Sequence, residues 1–288
     1  MTTLALVLPP NGQQLTSPSM YGNLGVMYIA AVAEALGVEV KVADMRTLKD
    51  IDISIIPNAD FVGVTTTSGE VGYAKAIAQA VRKRSPKTYL IVGGAHASLA
   101  PADFMEDFDT VVQGEGELVL ESIIHQGIKG LIRANRITDL DSLPFPARYL
   151  FDCFSDSLFP GEKYGRGPKA TTIIWSRGCP NHCAYCANIH HALVTYRSPQ
   201  NIAAELELLR DSYGCSAFRV EDDNIGYKRA WLGQVLETIP RGIRLKGHTR
   251  ADLVDDELCA MLVRAGFEEI GLGIEACDNH VLKLVGKG

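Results

Sequence analysis

Short apolar runs that alternate with helical stretches, twice along the chain, constrain this sequence more than any other feature. In the first half, residues 4–8, 38–42, 61–64, 89–92 and 110–112 read as buried strands, and 25–36, 71–83 and 117–124 have helical spacing. The rhythm restarts with strands over 171–175, 217–220, 243–246 and 269–274 and helices over 202–212, 231–238 and 255–264. Strands that alternate with helices build parallel sheets covered by helices on both faces. Ser198-Pro199 fits a helix start, with a hydroxyl cap and a proline in the first turn.

Between the halves, residues 137–168 break both patterns. They hold Leu143-Pro144-Phe145-Pro146, then Gly161, Gly165, Gly167 and Pro168. Leu150, Phe151, Phe154 and Phe159 need burial, so this stretch reads as an ordered linker. The expected division is 1–136, a linker over 137–168, and 169–288.

Composition narrows the class. The 288 residues are 22% charged and 47% hydrophobic, the balance of a soluble globular protein. The net charge is −6, and no Lys/Arg run is long enough for a nucleic-acid arm, so no nucleic-acid partner is expected. No apolar run approaches the ~20 residues of a membrane span. Residues 3–8 are followed by Pro9-Pro10 and preceded by no basic segment, which makes them a first strand rather than a leader. Seven cysteines without a secretory signal imply free thiols in a reducing cytoplasm.

Ligands of open parallel sheets bind beyond the carboxyl ends of the strands. Three loops there are rich in glycine and hydroxyls: Thr65-Thr66-Thr67-Ser68-Gly69, Gly93-Gly94-Ala95-His96-Ala97-Ser98 and Gly114-Glu115-Gly116-Glu117. Such residues let backbone approach a ligand closely. Turn chemistry accounts equally well for any one of them; three on one sheet edge point to a site. Glu115 and Glu117 precede a helix, where capping is an equal reading, and His96 is open between a ligand contact and an ordinary hydrogen-bonded histidine.

The strongest signal is Cys179-Pro180-Asn181-His182-Cys183-Ala184-Tyr185-Cys186. Three thiols spaced C-x3-C-x2-C after a strand can converge on one inorganic cluster, and thiolates suit iron–sulfur or zinc. A four-iron cubane held by three cysteines keeps one iron open for a small molecule. Structural zinc needs a fourth protein ligand, for which His182, His190 or His191 is available, but zinc sites usually show C-x2-C pairs. Cys153, Cys215, Cys259 and Cys277 are isolated and read as small buried hydrophobes.

The octet resembles the signature of the radical S-adenosylmethionine superfamily. With the Gly-Gly-Ala-His and Gly-Glu-Gly-Glu loops, Leu143-Pro144-Phe145-Pro146-Ala147-Arg148 and Arg197-Ser198-Pro199, the whole chain resembles the branch that has an amino-terminal cobalamin-binding domain. The resemblance implies an α/β fold: a doubly wound, Rossmann-like sheet over 1–136, then a partial (β/α) barrel over 169–288 with about four of six units present. It implies that Cys179, Cys183 and Cys186 hold a 4Fe-4S cluster whose open iron chelates S-adenosylmethionine. Tyr185, Asp222, Asp223, Arg250 and Glu275 then fall at S-adenosylmethionine contacts, with Arg250 pairing with its carboxylate as a fork. Cobalamin falls to Thr66, Thr67, Ser68, Gly93, Gly94, His96, Gly114, Glu115 and Gly116. The D-x-H-x-x-G pattern that puts histidine under cobalt elsewhere is absent, because His96 follows Gly94-Ala95.

The activity the resemblance implies is methylation of an unactivated carbon in a small-molecule substrate through a deoxyadenosyl radical and methylcobalamin. An external electron donor would reduce the cluster. Rivals are cyclisation or rearrangement without methyl transfer, and a non-catalytic cobalamin or redox sensor. A tRNA methylthiotransferase would carry three further cysteines in its first domain, and none precedes Cys153. With four barrel units, residues 271–274 are expected at an uncovered sheet edge, completed by a missing carboxyl-terminal segment or a partner chain.

Overall fold

The computed structural model describes residues 1–10, 23–151, 153–155, 167–187, 189 and 193–287. Phe159, Gly161, Gly165, His190 and His191 lie outside the described residues. The chain forms two compact units, Met1–Ile137 with Leu143–Asp152, and Thr138–Ser142 with Cys153–Gly288.

In the first unit the chain runs β1 (Thr3–Leu8), α1 (Leu24–Ala35), β2 (Glu39–Asp44), β3 (Phe61–Thr65), α2 (Val71–Arg84), β4 (Tyr89–Gly93), α3 (Ala95–Leu99), β5 (Thr110–Gln113), α4 (Leu120–Gln126) and β6 (Gly130–Arg133). The strands form one parallel sheet in the order β2-β1-β3-β4-β5-β6. Alternate strand residues point to opposite faces. Ala5, Val7, Val62, Val64, Leu90, Val92 and Val111 pack with Ile77, Ala78 and Val81 of α2. On the other face Ile91 and Val112 meet Ile123 of α4. Both faces are therefore apolar and helix-covered, which is why the strands read as near-continuous hydrophobic runs. The chain order reverses between β1 and β3, and the loop after β3 stands at that reversal, the usual position of a ligand crevice.

The second unit runs β7 (Ala170–Ile173), β8 (Ser176–Arg177), β9 (Thr195–Tyr196), α5 (Pro199–Tyr213), β10 (Ala217–Val220), α6 (Arg229–Thr238), β11 (Arg244–Arg250), α7 (Asp256–Ala265), β12 (Phe267–Gly273) and α8 (Asn279–Leu284). Strands β7, β10, β11 and β12 lie side by side in chain order, all parallel, as in a (β/α) barrel wall; β8 and β9 make a separate antiparallel ribbon. One face carries Ile173, Phe218, Val220 and Leu245 into a core with Leu206 of α5, Leu232 and Val235 of α6, and Leu258 of α7. The other face is polar: Thr172, Arg219, Lys246 and Glu269 stand in register across all four strands.

Local chemistry sets the helix ends. Ser198 caps α5 by accepting the Asn201 N–H at 3.1 Å, and Pro199 fills its first turn. Its own N–H donates to Asp141 at 3.0 Å. Arg197 is almost fully buried with Glu205 at 2.5 Å and also donates to the Ile174 carbonyl at 2.7 Å, which ties α5 to the end of β7. No helix among the described residues is long and apolar enough to cross a membrane.

Candidate functional site

The β8–β9 ribbon pairs Ser176 with Tyr196 and Arg177 with Thr195, so it closes the base of the cysteine loop just beyond the end of β7. Gly178 has φ +96°, which favours glycine, and its N–H donates to Asp223 at 3.1 Å. The Cys186 N–H meets the Cys183 carbonyl at 3.0 Å and makes a turn between the last two thiols. Cys179, Cys183 and Cys186 form no disulfide, and none of them is buried. Asn181 Nδ2 donates to Cys179 Sγ at 3.2 Å and also contacts the Tyr227 hydroxyl. The Arg250 guanidinium reaches Cys183 Sγ at 3.5 Å through Nη1. Hydrogen bonds to the sulfurs of a cluster help set its reduction potential.

Whether these residues fit a cluster is a question of donor chemistry. No three His, Cys, Asp or Glu side chains among the described residues crowd closely enough to hold a single metal ion. A cubane requires something else, because each thiolate binds its own iron and the sulfurs stand apart at separate corners. Three cysteines outside any disulfide, on one accessible loop and with N–H donors at two of them, fit that requirement.

The expected S-adenosylmethionine contacts divide. Asp222 is buried, and its two oxygens accept the Trp175 N–H at 2.7 Å and the Ser176 hydroxyl at 2.5 Å. Both oxygens are thus engaged by the chain, and Asp222 braces the end of β10 against β7 rather than facing a cofactor. Burial pushes its pKa up to about 6, and the charge of Asp223 adds to this, while the bonds from Trp175 and Ser176 oppose it. Asp223 is exposed on the cysteine-loop side. Asn224, buried beside them, accepts from the Arg250 N–H and the Thr249 hydroxyl, each at 3.0 Å, and so fixes the end of β11.

Arg250 makes the expected fork, but onto Asp252 of its own Thr-Arg-Ala-Asp segment, at 2.8 and 2.6 Å. Glu275 is the only non-glycine residue with positive φ, +62°, among those described. Its carboxylate accepts from Lys287 Nζ at 2.7 Å, and that ammonium holds it below the usual carboxylate range. Lys287 also lies 3.3 Å from the Tyr185 hydroxyl. Asn181, Tyr227, Asn224 and Lys287 escaped the sequence reading, since none belongs to a spacing pattern.

In the first unit the glycine and hydroxyl loops bind one another closely. The Thr66 N–H donates to the Gly93 carbonyl at 3.0 Å, and the His96 N–H to the Thr66 carbonyl at 3.1 Å. Gly94 has φ +100°, and a Cβ there would stand 2.8 Å from both Thr66 N and Thr66 O. Gly114 has φ +98°, and its N–H donates to Ser98 at 3.0 Å. A Cβ on Gly116 would press on Ile29 at 3.1 Å, whereas Gly93 has room for one. Close approach of chain to chain therefore accounts for Gly94 and Gly116. Thr67 donates its N–H to Glu70 at 2.7 Å. The His96 ring joins Ser68 at Nδ1 to Asp103 at Nε2, each at 2.9 Å. Glu115 makes no side-chain cap; it is buried and accepts the Ile137 N–H at 2.6 Å.

Residues 15–124 match the family model of the B12 binding domain, and residues 173–288 match that of the radical SAM superfamily. The chain thus carries, in order, matches to the two domains that characterise the cobalamin-binding branch of the radical SAM superfamily. A 4Fe-4S cluster, S-adenosylmethionine and cobalamin are the cofactors of that branch. An uncharacterized methyltransferase of Pyrococcus horikoshii is 26% identical over 99% of this chain and 68% of its own length. The anaerobic magnesium-protoporphyrin IX monomethyl ester cyclase of Synechocystis is 28% identical over 72% of this chain and 46% of its own. Among solved structures, the radical S-adenosylmethionine methyltransferase TsrM from Kitasatospora setae, with cobalamin and a [4Fe-4S] cluster bound, superposes with a TM-score of 0.70 at 16% identity. That match covers 98% of this chain and 62% of TsrM. The chain thus spans between about half and two thirds of these proteins' lengths, and at this identity the structural likeness speaks for the fold.

Proposed function

We propose that this chain is a cobalamin-dependent radical SAM methyltransferase acting on an unactivated carbon of a small molecule. The observation that carries the reading is one loop with three accessible thiols, two of them met by side-chain donors, in a chain that also has a B12-type sheet. When bound, the cofactors supply the hard chemistry: an electron from the cluster, a deoxyadenosyl radical from S-adenosylmethionine, and a methyl group from cobalamin.

The chain's own residues bind and orient. Cys179, Cys183 and Cys186 hold the cluster, with Asn181 and Arg250 fixing two of the sulfurs. Tyr185, Asp223, Arg250 and Glu275 surround S-adenosylmethionine, with Asp222 behind them as a brace. Arg250 is held in one orientation by Asp252, which leaves Nη1 directed at the cluster side. In the first unit Thr66, Thr67, Ser68, Gly93, Gly94, His96, Gly114 and Gly116 form the rim on which cobalamin lies. His96 has both ring nitrogens engaged by Ser68 and Asp103, which supports a role in holding the rim. The division of labour we assign is 1–136 to cobalamin, 137–168 to the joint and 169–288 to the radical core.

The reducing cytoplasm is the compartment we assign. An external electron donor completes the reading. No nucleic-acid partner is invoked. The rival is a cyclase without methyl transfer, which the Synechocystis relative favours. Product nucleosides separate the two. The chain, loaded anaerobically with iron, sulfide and cobalamin and then reduced in the presence of S-adenosylmethionine and a methyl-accepting substrate, should release S-adenosylhomocysteine as well as deoxyadenosine. Deoxyadenosine alone would favour the cyclase, and neither product would remove the enzyme reading.

A further inference from the structure

The residues around Lys287 do not belong to any pattern visible in the sequence, yet they converge on the cysteine loop from three directions. The Ala184 N–H, between Cys183 and Tyr185, donates to the Val285 carbonyl at 2.9 Å. Gly286 has φ +68°, and a Cβ there would stand 3.1 Å from the His182 carbonyl and 3.9 Å from Cys183 Cα. The strand-end Gly273 leaves room for the lysine, since a Cβ on it would lie 2.8 Å from Lys287 Nζ. The lysine's side chain is only 8% exposed, against 39% for its carboxylate partner, Glu275. A buried ammonium is stable only where acceptors face it, and here they are the Glu275 carboxylate at 2.7 Å and the Tyr185 hydroxyl at 3.3 Å.

Glu275 meanwhile holds a left-handed backbone conformation, which for a non-glycine residue is strained and persists only when surroundings enforce it. Its carboxylate is met by Lys287 and by the Tyr185 hydroxyl, which Lys287 also contacts. Surface ion pairs contribute little to stability, so a lysine threaded past a glycine to reach a partly exposed carboxylate is better explained by what it positions than by what it stabilises.

We propose that Lys287 is a positioning residue for S-adenosylmethionine: it sets Tyr185 and Glu275 in place while the main chain at 285–286 pins the cysteine loop. This rests on the assignment of Tyr185 and Glu275 to the cofactor. The lysine touches neither cluster nor reacting atoms and acts through those two side chains, so it should govern cofactor affinity rather than cluster assembly.

The test uses the whole chain, reconstituted anaerobically and reduced, with iron content and the electron paramagnetic resonance signal of the cluster recorded against added S-adenosylmethionine. The unaltered chain should show a signal that changes as the cofactor binds; no change at any concentration would defeat the assignment of the site itself. Lys287→Met should keep full iron and an unaltered cofactor-free signal, yet need at least tenfold more S-adenosylmethionine for the same change. Lys287→Arg should recover part of that loss. Gly273→Ala, which crowds the lysine without removing it, should shift the titration in the same direction. Two outcomes would overturn the proposal while leaving the site assignment standing. One is an unchanged titration in Lys287→Met. The other is a loss of iron that parallels the loss of affinity, which would make the lysine a support of the loop alone.

Discussion

At the scale of single residues, the adjacent carboxylates Asp222 and Asp223 have opposite tasks. Successive residues leaving a strand point to opposite sides, so one turns inward to Trp175 and Ser176 and the other faces the cysteine loop. Asp222 makes folding pH-dependent. Its folded pKa of about 6 lies above the ordinary 3.8, so the folded state binds the proton more tightly. The associated stability is present below about pH 4 and is lost as pH rises through about 6, by up to about 3 kcal/mol. Asp222→Asn keeps an acceptor for the Trp175 N–H and removes the titration, so urea midpoints should become flat across that window. Asp222→Ala should cost about 2–3 kcal/mol or more below about pH 4, because it leaves a buried N–H and hydroxyl unpaired, and progressively less as pH rises through about 6. Equal pH profiles for the parent and Asp222→Asn would show that this carboxyl does not titrate. The carboxylate pair was legible in the sequence as a site feature. Which member faces inward was not, because that depends on where β10 ends relative to Trp175, which lies between β7 and β8, 47 residues earlier.

Among elements, the loops after β3 and β4 are each other's closest neighbours, and their glycines answer to that packing. Gly94→Ala would put a Cβ 2.8 Å from Thr66 N and O at φ +100°, while Gly93→Ala meets nothing nearer than 3.9 Å. Gly94→Ala should therefore destabilise the chain by about 2 kcal/mol or more and weaken cobalamin retention, with Gly93→Ala close to neutral in urea denaturation. A reversed ranking would show that a ligand, and not Thr66, sets the requirement for glycine. The strands and long helices were readable because their faces are buried and their periodicity is strong. β6 escaped because Gly130–Arg133 is a short, half-exposed edge strand with one apolar pair, and α3 because its single turn follows directly on Gly94. Glu115 was read as a cap or a ligand contact; its bond to Ile137, 22 residues on, leaves no trace in local sequence.

For the whole molecule, the segment read as a linker is shared between the units: 143–152 belongs with the first and 138–142 with the second. Phe151 is buried, and the Ala147 N–H donates to the Met27 carbonyl at 3.1 Å. A fragment of residues 1–152 should accordingly be more stable than 1–136, by about 1–3 kcal/mol in urea, since the shorter one exposes the apolar surface under Phe151 and loses that bond. Equal stabilities would mean that 143–152 rests on the first unit without supporting it. The compositional break at the prolines was visible in the sequence, but the way it is partitioned depends on tertiary contacts with α1. The account as a whole stands on the cysteine loop as the seat of a four-iron cluster, and elemental analysis of the anaerobically reconstituted chain tests that most directly. The account predicts about four irons per chain, abolished by Cys183→Ala and retained in Cys259→Ala, whereas one zinc per chain surviving strict anaerobic handling in place of iron would contradict it.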